Sequence, residues 1–402
     1  RSTLFPYTTL FRSRTGGEQL TAGQRKLLEN ALRDFRLAGV ALPEERKQQF
    51  KSLMERLATL QSRFDENVLD ATNAWSRHLI DEDEIKGLPA PVVERARAAA
   101  QSRGLEGWFF TLDAPNYQAV MTHADNEPLR RDFYTAWVTR ASDQGQSPDR
   151  WDNTALMSQI LAARHELASL VGFPNYAEYS LATKMATSVG EVREFLEQLA
   201  TRSKPVAQHE YDDLTRFAGR TLNAWDAGYY SEQLKRERLS LSEEALRPYF
   251  PLPRVLAGMF AVAEKLYGVR IAERPGVEVY HPDARFYDIL NADGSRRGSF
   301  FVDLYARAKK RGGAWMDECV GRKHLDASTT LPVAYLVCNF MPPSGSQPAL
   351  LTHSEVVTLF HEFGHGLHHM LTRVDYPSTA GINGVAWDAV ELPSQFMENF
   401  RF

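Results

Sequence analysis

Apolar residues recur at three-to-four spacing from Leu20 to about Gly268, and then that periodicity stops. Leu27, Leu28, Ala31, Leu32 and Phe35 form one stripe, and Phe50, Leu53, Leu57 and Leu60 repeat it. Such stripes belong to helices that bury one face. Gly39 and Pro43 separate the two segments and predict an antiparallel helix pair. Further helices are expected over 125–141, 151–170, 189–218 and 252–267, with no fixed-period repeat of the solenoid kind. From 269 to 341 the texture changes. Residues 277–280, 286–290, 299–304 and 333–340 alternate or run apolar, and Asn291, Asp293 and Gly294 supply hairpin turn chemistry. The pattern predicts a mainly α protein, with a small β-sheet directly before residue 341. At 402 residues the chain exceeds one small core. A helical N-terminal lobe is expected over 18–268 and the start of a second lobe over 269–402.

The ends carry their own signals. The chain starts without Met, and residues 1–13 (RSTLFPYTTLFRS) fit neither a signal peptide nor a capped helix. They read as translated sequencing adapter, so 1–17 is set aside from fold reasoning. Phe402 falls within a pattern that still reads as helix, and a fragment open at both ends is expected.

Composition narrows the function classes. Hydrophobic residues at 43% and charged residues at 24% suit an ordinary globular protein. A formal net charge of −4 offers no electrostatic attraction to nucleic acid or an anionic membrane. The longest apolar run, 331–341, is about half of a membrane span and reads as a buried strand. Cys319 and Cys338 form no C-x-x-C pair and read as reduced thiols of a cytosolic protein.

Residues 352–371 read THSEVVTLFHEFGHGLHHML. Thr352 and Glu355 fit a capping box, which starts a helix here. Within it His361, Glu362 and His365 make H-E-x-x-H. The four-residue step sets both imidazoles on one helical face, where they can reach a single zinc ion. Glu362, one position along, can take a proton from water that zinc has acidified toward pKa about 7. Composition alone yields the pattern in roughly one chain in a hundred of this length, so context has to carry the reading.

A catalytic zinc needs a third protein ligand. The metzincin arrangement fails, because His368 and Leu371 stand where it needs Gly and His. A glutamate from a second helix is the other route. Glu391 and Glu398 both suit it, and periodicity does not separate them. Asp388, one turn before Glu391, is a candidate acceptor that could orient a ligating histidine. His353, His368 and His369 overrun the ligand count and read as polar neighbours.

The block 350–371 (LLTHSEVVTLFHEFGHGLHHML) and the block 378–400 (STAGINGVAWDAVELPSQFMENF) resemble the thimet-oligopeptidase family of zinc metallopeptidases. WDAGYYSEQL at 225–234, GSFFVDLYARAKKRGGAW at 298–315 and LPVAYLVCNFMPP at 331–343 support the likeness, which runs from about residue 20 to 402. The resemblance implies Glu391 as third ligand, with His361 and His365, through the V-E-x-P-S-Q block. It also implies one Zn2+ per chain and a helical body divided by a deep substrate channel. The implied activity is endopeptidase cleavage of short unfolded peptides in the cytoplasm by a monomer. A dipeptidyl carboxypeptidase of the same family and a helical peptide-binding scaffold with a vestigial motif are the rivals. The family's tyrosine- and glycine-rich loop, with its oxyanion donors, is expected beyond Phe402, and a rate loss on the order of 10²–10³ without it.

Overall fold

Contacts divide the chain into two compact units that are each discontinuous in sequence. The computed structural model describes residues 20–240, 243–307, 310–325, 328–343 and 348–400, so the adapter-like segment lies outside the described residues. One unit comprises Leu42–Leu181 and Ser188–Glu244, and the other Arg1–Ala41, Ala182–Thr187 and Ala245–Phe402.

The first of these is built almost wholly from helices. Helix Glu44–Ala74 packs on Thr154–Leu170. Leu53, Leu57 and Leu60 meet Leu156, Ile160, Ala163 and Leu167 there. A second cluster gathers Phe110, Leu129 and Phe133 around the antiparallel strand pair Ser76–Leu79 and Trp108–Thr111. Helix Val189–Ala218 starts where the Ser188 side chain accepts from the Glu191 N–H and ends at left-handed Gly219. The expected helices appear as Glu127–Val138, Thr154–Leu170, Val189–Ala218 and Leu252–Tyr267. The predicted antiparallel pair is corrected. Helix Ala22–Leu37 belongs to the other unit and packs beside the short turn Pro377–Thr379.

That other unit holds a five-stranded sheet. Its order is Arg270–Glu273, Arg285–Leu290, Arg296–Tyr305, Val333–Phe340 and Trp315–Val320. Only the pairing of Arg296–Tyr305 with Val333–Phe340 is parallel. The predicted hairpin turn closes with the Asn291 N–H donating to the Ser295 carbonyl. Residues 277–280 do not pair as a strand. Pro275 and left-handed Gly276 turn the chain out of the sheet, and Tyr280 instead lays its ring near Phe301 and Tyr335. Helix Leu252–Tyr267 and helix His353–Met370 cover the sheet through Met259, Phe300, Leu336, Leu359, Phe363 and Leu367. The rings of Phe260, Phe300 and Phe363 lie within 6.0 Å of one another, a core of interlocking aromatics. The fold is mainly α, with the small sheet beside the motif helix, as the sequence predicts. Among the described residues no helix is long and apolar enough to cross a membrane.

Candidate metal centre

Helix His353–Met370 begins with a reciprocal cap. The Glu355 N–H donates to Thr352 Oγ1 at 3.0 Å, and the Thr352 N–H donates to Glu355 Oε2 at 2.7 Å. Val356, Leu359, Phe360, Phe363, Leu367 and Met370 bury one face of this helix. Burial of that face fixes the helix rotation and leaves the imidazoles of His361 and His365 only partly covered. Their ring centres are 5.0 Å apart.

The second carboxylate arrives from Glu391, the residue preceding helix Leu392–Glu398. Its Oε2 lies 3.2 Å from His361 Nε2 and 3.1 Å from His365 Nε2. One ligand atom from each of the three residues falls within 4.8 Å of the others. Ser394 Oγ donates to the same Glu391 oxygen at 2.8 Å. Close approach of the two helices depends on Gly364, the fourth residue of H-E-x-x-H. A Cβ there would lie 2.5 Å from the Pro393 carbonyl oxygen and 2.7 Å from Ser394 Cα. A glycine inside a helix costs about 1 kcal/mol against alanine. That cost, visible in the sequence, is the signal that could have flagged the contact.

His361 Nδ1 lies 2.8 Å from Glu398 Oε1. A carboxylate only accepts, so Nδ1 carries the proton of this bond and Nε2 is the nitrogen left to ligate a metal. Burial lowers the pKa of His365 despite the opposing pull of Glu391, which keeps this ring neutral. Two imidazole nitrogens and a carboxylate oxygen thus face one small space. They repel unless a proton or a cation lies among them. Two imidazoles and a carboxylate, with one imidazole oriented by a further carboxylate, is a donor set that suits zinc.

Glu362 points differently. The residue is only 8% exposed, and burial pushes its pKa up, Glu391 adding to this while His361 and the Met316 backbone oppose it. The strand Trp315–Val320 that carries Met316 is an edge of the sheet, packed beside the motif helix. Fully buried His369 donates from Nε2 to the Val320 carbonyl at 3.0 Å and so ties that edge to the helix. Left-handed Gly381 makes room for this ring, because a Cβ there would meet His369 Nδ1 at 2.6 Å. His369 therefore has a structural task, in keeping with its reading as a polar neighbour.

Asp388 does not take the place predicted for it. Its carboxylate accepts from the backbone N–H of Met185 (2.9 and 3.1 Å) and of Ala186 (3.0 Å). The acceptor at a ligand-set histidine is Glu398. Asp388 sits in the short turn Trp387–Ala389, outside the helix, so the one-turn spacing assumed for it does not apply. Glu398, at the far end of Leu392–Glu398, reaches His361 instead.

The sequence pattern of peptidase family M3 matches residues 120–402, which include the whole site. The chain belongs to peptidase family M3. Oligopeptidase A of Haemophilus influenzae is 50% identical over 383 residues, covering 94% of this chain and 56% of that protein. Oligopeptidase A of Escherichia coli is 50% identical over 387 residues, covering 95% and 57%. A dipeptidyl carboxypeptidase of Salmonella typhimurium is 36% identical over 91% of this chain and 54% of that protein. The resemblance to thimet-type oligopeptidases holds at the level of this family. The chain spans about half the length of the curated relatives it matches.

Proposed function

We propose that this chain carries the metal site of a zinc endopeptidase that hydrolyses short unfolded peptides. The observation that carries the reading is the convergence of His361 Nε2, His365 Nε2 and a Glu391 carboxylate oxygen beside buried Glu362. Those three residues would hold the ion. A bound Zn2+ would supply a Lewis acid that polarises a peptide carbonyl and acidifies water toward pKa about 7.

The chain's own residues do the rest. Glu362 would accept the proton of the attacking water and return it to the leaving amine. A carboxyl pushed up by burial is suited to hold that proton for part of the cycle. Glu398 keeps the His361 ring in one tautomer and one orientation. The Ser394 hydroxyl holds the Glu391 oxygen in place. The likeness to proteins named oligopeptidase A supports peptides as substrates. Two thiols left unpaired support a cytoplasmic setting.

The first test is metal content of the purified chain beside His361→Ala and Glu391→Ala. Near-stoichiometric zinc that is lost in both variants supports the site. A folded chain that takes up no metal overturns it. Cleavage is then measured on the protein at its relatives' length. The likeness to a dipeptidyl carboxypeptidase favours a second reading, in which only C-terminal dipeptides are removed. Products from one ten-residue peptide separate the two, because amidating its C-terminus would stop a dipeptidyl carboxypeptidase and spare an endopeptidase.

A further inference from the structure

Between helices Tyr176–Leu181 and Val189–Ala218 runs a six-residue segment, Ala182–Thr187. Both flanking helices belong to the helical unit, yet this segment belongs to the unit that holds the metal centre. Asp388 grips it through two backbone N–H groups. Both of its carboxylate oxygens accept from the Met185 N–H, and Oδ2 also takes the Ala186 N–H. These bonds lower the pKa of the Asp388 carboxyl below its ordinary value, with Lys184 a minor contributor, so the anchor is charged at neutral pH.

The anchor lies three residues before Glu391. Glu391 needs outside support, since its side chain is half exposed and its ion-pair partners among the described residues are the two histidines. Downstream it is steadied by Ser394. Upstream, the chain is tied at Asn383, which donates to Glu318 Oε2 at 2.5 Å, and then at Asp388. Between Asp388 and Glu391 there is less than one turn of helix, so any swing of the turn Trp387–Ala389 moves the third donor directly. A metal site tolerates little such motion, because ligand atoms must stay within a few tenths of an ångström of their bonding distance.

We propose that Asp388 is a positioning residue for the metal centre: by gripping the 182–187 segment it fixes the backbone that presents Glu391. The inference rests on the metal-site reading above and adds a residue and a segment to it. Asp388 bonds to the backbone of Met185 and Ala186, not to a metal donor. It acts through the backbone alone.

The test uses the purified chain, with Asp388→Ala and Asp388→Asn. Zinc affinity is measured by competition with a chromophoric chelator, and the visible spectrum is recorded after loading with Co2+ alone. Asp388→Ala is expected to weaken zinc binding about three- to tenfold, the range seen when a side-chain cap on backbone N–H groups is lost. Its cobalt bands should shift or broaden. Asp388→Asn keeps one acceptor oxygen and should lose roughly half as much on a logarithmic scale, and it carries the test if the alanine variant does not fold. Unchanged zinc affinity and cobalt spectrum beside a lowered melting temperature would overturn the proposal, leaving Asp388 as a holder of the 182–187 segment alone. A wild-type chain without metal affinity overturns the metal-site reading itself, and this proposal with it.

Discussion

Two clusters of ionisable side chains, one in each unit, show how a polar network that serves stability differs from one that binds. In the helical unit Arg130 and Asp226 are fully buried and paired at 2.8 Å. Arg130 also donates to the carbonyls of Ala124, Asp125 and Trp225, and Asp226 accepts from the Asn223 N–H and pairs with Arg220. Each charge there meets an opposite charge and each donor an acceptor. The metal centre is built the other way. His361, His365 and Glu391 bring acceptors together, and no Lys or Arg pairs with Glu391 among the described residues. A closed network spends its hydrogen-bonding capacity on itself. An open one keeps lone pairs aimed at a common point, and that surplus marks a place for a cation.

The largest expected effect belongs to the open cluster. Glu362→Gln in the protein at its relatives' length should lower kcat/KM for peptide cleavage about 10²- to 10⁴-fold, the range for loss of a general base. Zinc content should stay the same. The metal-free protein should melt no lower, because burial already disfavours the ionised carboxylate. Next comes the closed cluster. Asp226→Ala strands a buried guanidinium and should cost about 3–5 kcal/mol in urea unfolding. Zinc affinity measured on the folded fraction should not change. If it falls as well, the two clusters are not independent.

Glu398→Gln sharpens the contrast inside the metal centre. It leaves all three donors in place but weakens the hold on the His361 ring, and zinc affinity should drop about 10- to 100-fold. Gly364→Ala sets a methyl group against Pro393 and Ser394 and should cost about 1–3 kcal/mol as the helices part. Its zinc affinity should fall too, since Glu391 moves with the second helix. Retained affinity would show that the close backbone contact serves packing only.

The smallest effect is acid sensitivity. Burial works to raise the Asp226 carboxyl, but the Arg130 bond, the Asn223 N–H and the Arg220 charge outweigh it and leave the pKa below the ordinary value. The folded value thus lies below the unfolded one, near 3.9. The stabilisation is complete above about pH 4 and is lost as pH falls through the folded value. Between pH 5 and 2, unfolding free energy should fall less steeply in Asp226→Asn than in wild type. An equal slope would mean that Asp226 is no better stabilised in the fold than in the open chain.

Much of this protein follows from local pattern. The capping box at Thr352 and Glu355, the apolar stripe of the motif helix and the four-residue step from His361 to His365 all act within a single helix, whose periodicity sets which side chains share a face. The hairpin at 291–295 and the buried strand Val333–Phe340 are equally local. The misreadings share one cause. Residues 277–280 have strand composition, but Pro275 and Gly276 send them elsewhere. Helices Ala22–Leu37 and Glu44–Ala74 adjoin in sequence, but their contacts place them in different units. Glu391, Glu398 and Asp388 lie within eleven consecutive residues and cannot be ranked from helical periodicity, because the chain passes from a short turn into a helix between them. Resemblance to a family singled out Glu391. Only the tertiary structure shows how the work is divided: Gly364 lets the helices touch, Glu391 reaches both imidazoles, Glu398 turns His361, and Asp388 holds a segment some two hundred positions earlier in the chain. Periodicity is a property of one element. The meeting of donors from two helices and a loop depends on how closely their backbones pack, and no single stretch of sequence contains that distance.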